Sequence, residues 1–291
     1  MVGGSFLDAT LFLFANSFCI KKVVLDLVLW YNIFTMIKLT PLFSGSRGNC
    51  TLVQTPCANI LIDAGFGFRA TVSRLQQCGL TVQDISAIVV THEHSDHVAA
   101  LPHFAKHSRA KVYVPTPALN HVAEHCLVSN VQGVDGAFQI ADAEVEIYRC
   151  SHDARACFGY KFTANGDSVA SVTDTGVVTA ALVEFLSPCR AIILESNHDV
   201  TMLKNGDYPY YLKRRILSDI GHLSNDQCAQ VLQNLAGTKV QSVILGHLSE
   251  QNNRANLAFD CAAKAFAQNG LTVGKDIHLY VANQYQNEVT V

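Results

Sequence analysis

The chain has 291 residues, of which 49% are hydrophobic and 15% are charged. This composition excludes a disordered chain or a coiled coil and allows a large buried core. The formal net charge of −3 excludes a global positive field, so a nucleic-acid substrate would need a local basic patch or bound cations. The ten cysteines include no CxxC pair, which is typical of reduced, buried thiols in a cytoplasmic protein.

Residues 1–35 are apolar but carry interrupting charges at Asp8, Lys21, Lys22 and Asp26. Neither uncharged stretch reaches the roughly 18 residues of a membrane span, and no positive charge precedes the first one as in a secretory signal. We interpret 1–35 as a non-catalytic extension or a mis-assigned start upstream of Met36. An interfacial helix is the remaining alternative, although the charges do not favour membrane contact. The predicted catalytic domain is 36–291.

From residue 36 onward, short apolar runs alternate with amphipathic stretches. Strands are predicted at 37–43, 51–54, 59–62, 87–91, 111–114, 144–149, 158–163, 168–173, 190–195, 241–246 and 277–282, and helices at 68–78, 97–107, 117–127, 178–186, 224–235 and 254–268. Asn165-Gly166 predicts a hairpin turn, Ser224 with Gln227 predicts a helix-capping box, and Asn269-Gly270 predicts a helix end. This alternation favours sheet layers covered by helices.

The sequence THEHSDH follows the predicted strand 87–91 and contains His92, His94, Asp96 and His97. In an extended loop the side chains of His92 and His94 lie on the same side, so both can bind one ion. Asp96 and His97 then lie where a helix would begin and can face a second ion. Imidazole and carboxylate groups suit Zn²⁺, Mn²⁺ or Fe²⁺. Glu93 points away from its neighbours and is not expected to be a ligand.

One loop cannot complete two metal sites, so further ligands are expected at the ends of other strands. His152, Asp174 and His247 each follow a β-type apolar run, as do Glu195, Asn197 and His198 after a fourth such run. We therefore expect these segments to converge on the THEHSDH loop.

The order His92-x-His94-x-Asp96-His97, His152, Asp174, His247 resembles the metallo-β-lactamase superfamily. The resemblance covers the chain from about residue 36 to its end and implies an α+β fold, a four-layer αββα sandwich. It implies that His92, His94 and His152 bind one metal, that Asp96, His97 and His247 bind the second, and that Asp174 bridges them. A competing assignment makes His198, in place of His247, the seventh ligand.

The flanking motifs LFSGSRGNCTLV, LIDAG, ESNHD, YPYYLKRRI, DIGHLSN and LGHLSEQNN resemble the WalJ/YycJ-like branch of that superfamily. This branch implies 5′→3′ exonuclease activity on DNA with two divalent cations, Zn²⁺ or Mn²⁺, with Fe²⁺ as a further option. A hydroxide shared by the two metals would attack the phosphodiester, and Asp96 could orient it. No obligate protein partner is evident.

Four sets of residues are candidates for substrate contacts. His222 is expected to protonate the leaving 3′-oxygen or to contact a phosphate, with a capping-loop histidine as the alternative. Ser44, Ser46 and Asn49 in SGSRGN could bind a phosphate, although an ordinary turn has the same composition. The basic cluster of Lys213, Arg214 and Arg215 could contact the DNA backbone or form a solvated helix face, and His198 could contact substrate or orient a ligand.

Two other functions use the same metal ligands. A thioester, lactone or β-lactam hydrolase would need an acyl pocket in place of a phosphate site. A metal-stabilised, non-enzymatic signalling partner would need a closed metal site without open coordination positions.

Overall fold

The computed structural model describes residues 36–285, 287 and 289–291, and the prediction for 1–35 therefore lies outside the described residues. Six strands form the first sheet in chain order: β1 (Lys38–Phe43), β2 (Cys50–Gln54), β3 (Asn59–Ile62), β4 (Ala87–Val89), β5 (Lys111–Pro115) and β6 (Val131–Val134). The pairs from β1 to β3 are antiparallel, and those from β3 to β6 are parallel. The loop after β4 therefore leaves from the carboxyl edge of a parallel pair.

Seven strands form the second sheet in the order β13-β12-β11-β10-β9-β8-β7. They are β7 (Phe138–Ile140), β8 (Ala143–Cys150), β9 (Cys157–Ala164), β10 (Asp167–Val172), β11 (Ala191–Glu195), β12 (Ser242–Gly246) and β13 (His278–Val281). Strands β10 to β13 run parallel, so the residues that follow β10, β11 and β12 emerge at the same edge.

Nine α-helices lie in the described range: α1 (Phe68–Gln77), α2 (Ser95–Val98), α3 (Leu101–His107), α4 (Leu119–His125), α5 (Ala180–Leu186), α6 (Val200–Asn205), α7 (Tyr210–Ile216), α8 (Asn225–Leu235) and α9 (Ala255–Gln268). None of these helices combines the length and apolarity needed to cross a bilayer.

The structure has four layers, two of helices and two of sheet, and a cluster of buried apolar side chains fills each of the three interfaces between them. The central cluster joins the inner faces of the two sheets, with Ile60 and Ile62 on one side and Tyr160 and Phe162 on the other. Alternate residues such as Leu61 point outward, where they pack against Leu75 of α1 and Phe104 of α3. On the far side of the second sheet, Ile192, Leu194 and Leu245 pack against α5, α8 and α9. This period-two division of side chains gives the αββα sandwich that the family resemblance implied.

Local signals were mostly correct. Asn165 and Gly166 form the β9–β10 turn with φ angles of 51° and 80°, and the Ser224–Gln227 capping box begins α8. The predicted helix 97–107 was wrong in one respect, because it is divided into α2 and α3. Pro102, at the start of α3, has no N–H to continue a helix from α2. The short elements β6, β7, α6 and α7 were not predicted.

Candidate metal centre

The predicted metal ligands lie together at one edge of the two sheets. The loop after β4 carries His92 to His97, and His152 follows β8. Asp174 and His247 follow the parallel strands β10 and β12, whose carboxyl ends share an edge. Strand direction therefore explains how residues far apart in sequence converge.

The ligand loop is attached to neighbouring segments through its main chain. The Asn49 N–H donates to the Asp96 carbonyl at 2.8 Å, and the Ala64 N–H donates to the His97 carbonyl at 2.9 Å. A Cβ atom at Gly65 would lie 1.6 Å from the Asp96 carbonyl oxygen, so only glycine permits this close approach. Gly65 of the LIDAG motif therefore leaves the space that the main chain of the ligand loop occupies.

One cluster contains His92, His94 and His152, and ligand atoms of all three lie within 4.8 Å of one another. His92 Nε2 and His94 Nδ1 are 3.0 Å apart. Three imidazole nitrogens this close together form a donor set that suits Zn²⁺ or Fe²⁺.

A second cluster contains Asp96, His97 and His247, again with ligand atoms within 4.8 Å. Asp96 Oδ2 lies 3.3 Å from His97 Nε2 and 3.8 Å from His247 Nε2. Two further groups with ligand atoms within 4.8 Å overlap these clusters: His92, His97 and Asp174, and Asp174, Glu195, His222 and His247. Which residues share an ion therefore stays a prediction.

Asp174 lies between the two clusters. Its Oδ2 is 3.5 Å from His97 Nε2, and its Oδ1 is 3.9 Å from His152 Nε2. Asp174 and His247 have φ angles of 60° and 57°, in the left-handed region that non-glycine residues seldom adopt. Backbone strain of this kind is concentrated at functional sites, where the surrounding structure maintains it.

The outer nitrogens of two imidazoles have fixed hydrogen-bond partners. His97 Nδ1 lies 2.7 Å from Asp63 Oδ2, and His152 Nδ1 lies 3.1 Å from the Gly221 carbonyl. The Thr91 N–H donates to Asp63 Oδ1, which holds that carboxylate in place. These bonds direct Nε2 of both rings toward the cluster, as in metal-binding histidines. Asp63 was not predicted, although an acidic residue directly after the apolar run NILI is a usable signal.

Glu195 orients two further imidazoles and is completely buried. Its Oε1 lies 2.8 Å from Nδ1 of both His222 and His247, and its Oε2 accepts the N–H groups of Thr175 and Leu223. Burial raises the pKa of Glu195, but the two imidazoles outweigh burial and lower the pKa overall. The sequence places Glu195 at a strand end, but it does not predict that this carboxylate orients two imidazoles. That role depends on the fold, which brings His222 and His247 to the same oxygen.

The residues present fit divalent cations. Asp174 Oδ2 and His247 Nε2 are buried and have no hydrogen-bond partner among the described residues, which is costly for polar atoms unless another group binds them. Burial lowers the pKa of His247, but Asp174, Asp96 and Glu195 outweigh burial and raise it to about 10. Cations binding here would displace protons, so metal affinity should rise with pH.

A cavity of about 190 Å³ opens onto the clusters. Besides metal-cluster side chains, its lining includes Ser46, Asn197, His222, Arg215 and Ser249. The His222 side chain is 15% exposed, and its Nδ1 is bound to Glu195. His222 Nε2 is therefore the ring nitrogen left for a substrate contact.

The three candidate phosphate-binding residues of the SGSRGN loop differ in burial. Ser46 is exposed and lines the cavity, whereas Ser44 and Asn49 are buried. The Ser44 hydroxyl accepts the His247 N–H at 2.8 Å, and Asn49 Nδ2 lies 3.2 Å from His97 Nε2. Ser44 therefore supports a metal-cluster residue, whereas the Asn49 amide lies against the ring nitrogen of His97 that would bind a cation. A phosphate contact by any of the three stays a prediction.

The three cationic residues of α7 point in different directions. Arg215 lines the cavity and forms a two-pronged ion pair with Asp153. The Lys213 ammonium donates to the carbonyls of Lys204 and Gly206, and Arg214 is exposed. Arg215 is thus the cation of this set that faces the cavity.

His198 is only 1% exposed, and both of its ring nitrogens lack partners among the described residues. It does not line the cavity and belongs to no ligand cluster of the described residues, whereas His247 belongs to two. Its predicted substrate contact stays a prediction that this burial does not support. Glu93 instead accepts the Arg155 N–H and lies outside the ligand clusters.

Comparisons with known proteins agree with this geometry. Residues 58–248 match the model of the beta-lactamase superfamily domain. The chain is 36% identical to exodeoxyribonuclease YycJ of Bacillus anthracis over 82% of this chain and 92% of that protein. It is 32% identical to exodeoxyribonuclease WalJ of Streptococcus pneumoniae serotype 2 over 84% of this chain and 93% of that protein.

Solved structures show the same fold at low identity. The metallo-beta-lactamase fold protein YhfI from Bacillus subtilis superposes with a TM-score of 0.67 at 15% identity, covering 88% of this chain and 99% of that one. At this identity the likeness concerns the fold alone. Together with the family model and the two curated relatives, it shows that the chain belongs to the metallo-β-lactamase superfamily, in its WalJ/YycJ-like branch.

Proposed function

We propose that this chain is a metal-dependent exodeoxyribonuclease that hydrolyses phosphodiester bonds from the 5′ end of DNA. The observation that carries the proposal is the pair of ligand clusters, joined by Asp174, at the floor of a cavity whose rim holds His222 and Arg215. Both curated relatives named above are exodeoxyribonucleases, and each match covers more than four fifths of both chains.

When bound, two divalent cations would lower the pKa of a water nucleophile and offset negative charge on the phosphoryl oxygens. His92, His94 and His152 would hold one cation, Asp96, His97 and His247 the other, and Asp174 would contact both. Asp96 is also a cavity-lining carboxylate, so one of its oxygens can accept a hydrogen bond from the attacking water.

His222 is suited to proton transfer to the leaving oxygen. Its Nδ1 is bound to the Glu195 carboxylate, which leaves Nε2 for a contact in the cavity. From there the Nε2–H can donate its proton to the 3′-oxygen as the phosphorus–oxygen bond breaks.

Arg215 is suited to hold a non-bridging phosphate oxygen. Asp153 fixes the guanidinium through two hydrogen bonds, so its remaining N–H groups have a restricted orientation at the cavity wall. Guanidinium groups stay charged at all relevant pH values and match phosphate geometry.

The test is a metal-loaded assay on DNA and RNA labelled at either end, in single- and double-stranded form, with metal content measured on the same samples. We expect release of nucleotides from 5′ ends of DNA with two cations bound per chain. Asp96→Ala should reduce the rate by at least about 100-fold, because even partners outside the ligand set alter such sites by about 10–100-fold. Asp260→Ala, an exposed aspartate on α9, is the matched control and should leave the rate unchanged.

Two results would contradict the proposal. One is the absence of DNA cleavage by protein that carries two cations per chain. The other is turnover of acyl thioesters or a β-lactam at ordinary enzyme rates by the same preparation, which would favour the acyl-hydrolase alternative.

A further inference from the structure

The segment 208–220, here called the rim segment, contains an unusual concentration of exposed apolar side chains. Large hydrophobic residues are exposed at eight described positions, and four of them lie here: Tyr210, Tyr211, Leu217 and Ile220. Tyr210 and Tyr211 are 76% and 74% exposed. Side chains this exposed contribute little to the core, so packing does not explain their clustering beside the cavity.

Of the two exposed tyrosines, helix geometry places Tyr211 nearer the cavity, although neither lines it and the lining tyrosine is Tyr208. Leu212, Arg215 and Ile216 of α7 line the cavity and define its inner face. Tyr211 precedes Arg215 by four residues and therefore lies on the same side of the helix, next to that face. Tyr210 precedes Leu212 by two residues, about 200° around the helix, and so lies on the opposite side.

Arg215 and Ile220 are joined through Asp153. The Asp153 carboxylate accepts from the Arg215 guanidinium, and the Asp153 N–H donates to the Ile220 carbonyl at 3.2 Å. Arg215, which lines the cavity, thus has two exposed apolar residues near it. Tyr211 lies one helical turn before it, and Ile220 is linked to it through Asp153, although neither of the two lines the cavity itself. This arrangement complements a nucleotide, in which an anionic phosphate is linked to an apolar, aromatic base.

We propose that Tyr211 is a stacking platform for a nucleobase next to the scissile phosphate, with Ile220 bordering the same base and Arg215 on the phosphate. This inference rests on the proposed function and specifies its substrate. A base that stacks on Tyr211 has left its own helical stack, so the bound form of the DNA is a single-stranded or frayed end. Base–aromatic stacking tolerates every base, which would give little sequence preference.

The experiment measures binding and cleavage separately. Binding of the metal-loaded protein to a short single-stranded oligonucleotide with hydrolysis-resistant phosphorothioate linkages is followed by fluorescence anisotropy. Tyr211→Ala, Tyr211→Trp and the matched control Tyr210→Ala are compared with the parent protein. A second oligonucleotide lacks the bases of its terminal nucleotides but keeps every phosphate.

We expect Tyr211→Ala to raise Kd about 10-fold for the complete oligonucleotide, as loss of one stacked base predicts. Tyr211→Trp should retain binding, and Tyr210→Ala should change Kd less than about 2-fold. Removal of the bases should weaken binding to the parent protein but not to Tyr211→Ala, because the contact is already absent.

Equal effects of Tyr211→Ala and Tyr210→Ala, or equal weakening by base removal in the parent and Tyr211→Ala, would overturn this inference. Cleavage of DNA by the parent protein in the same experiments would show that the proposed function survives that result. A parent protein that neither binds nor cleaves DNA would overturn both proposals.

Discussion

The metal-ligand cluster and the rim segment border the same cavity, but their side chains are held in different ways. The ligands are mostly buried, and Asp63, Glu195 and the Gly221 carbonyl direct them from behind. The rim segment exposes tyrosines at about three quarters of their surface and is held mainly by ion pairs and carbonyl contacts. The buried region suits chemistry that requires fixed geometry, whereas the exposed region can adapt to a polymeric substrate.

The largest effect is expected at Glu195, a buried carboxylate with one oxygen in contact with ring nitrogens of both His222 and His247. In Glu195→Gln an NH₂ group replaces one of the two accepting oxygens, so it must face either the imidazoles of His222 and His247 or the backbone N–H groups of Thr175 and Leu223. Either arrangement sets donor against donor and disturbs the orientation of His222 and His247. We expect metal affinity and cleavage rate to fall about 100-fold, since each such partner is worth about 10–100-fold. Isothermal titration with Zn²⁺ or Mn²⁺ and the DNA assay would measure both quantities.

Glu184→Gln on α5 makes the same chemical change at an exposed position and should leave metal affinity and rate at their parent values. If Glu195→Gln changed metal affinity and rate no more than Glu184→Gln does, hydrogen bonds to buried partners would not be what fixes the ligand cluster.

A second prediction concerns the buried residue His198. Burial lowers its pKa to about 4, although Glu195 acts in the opposite direction. Because the unfolded chain binds this proton near pH 6.5 and the folded chain only near pH 4, stability should decrease as the pH falls from 6.5 to 4 and change no further from this source below pH 4. The full loss of unfolding free energy, about 3 kcal/mol, is reached below pH 4, where both states are protonated.

Denaturant unfolding at several pH values should therefore give a flatter stability profile for His198→Leu than for the parent protein. His278→Leu is the matched control, because it makes the same chemical change at an exposed histidine. Parallel profiles for the parent and His198→Leu would contradict the prediction.

The smallest predicted effect separates two serines of one loop. Ser44→Ala removes the acceptor of the buried His247 N–H and should lower the free energy of unfolding by about 1–3 kcal/mol. Ser46→Ala changes an exposed, cavity-lining residue and should leave stability within about 0.5 kcal/mol. Thermal and denaturant unfolding of both variants gives the comparison, and equal destabilisation would show that burial does not separate their roles.

Much of the site could be predicted from local sequence. The crowded THEHSDH loop and the polar residues after four β-type runs identified the residues that now lie in two clusters, because strand ends are recognisable from apolar runs. The short strands β6 and β7 and the helices α6 and α7 gave weaker signals, since few periodic positions fit within six or seven residues. Pro102 was visible in the sequence, but the break it makes between α2 and α3 was not predicted.

The sequence by itself determined which side chains could bind metal, the order in which they occur, and the family to which the chain belongs. Only the tertiary structure decided that Asp63 and Glu195 hold imidazoles, that Ser44 supports His247, and that Arg215 rather than Lys213 faces the cavity. The physical reason is that metal ligands are marked by their own chemistry, whereas a supporting or substrate-facing role depends on which distant groups the fold brings within hydrogen-bonding distance.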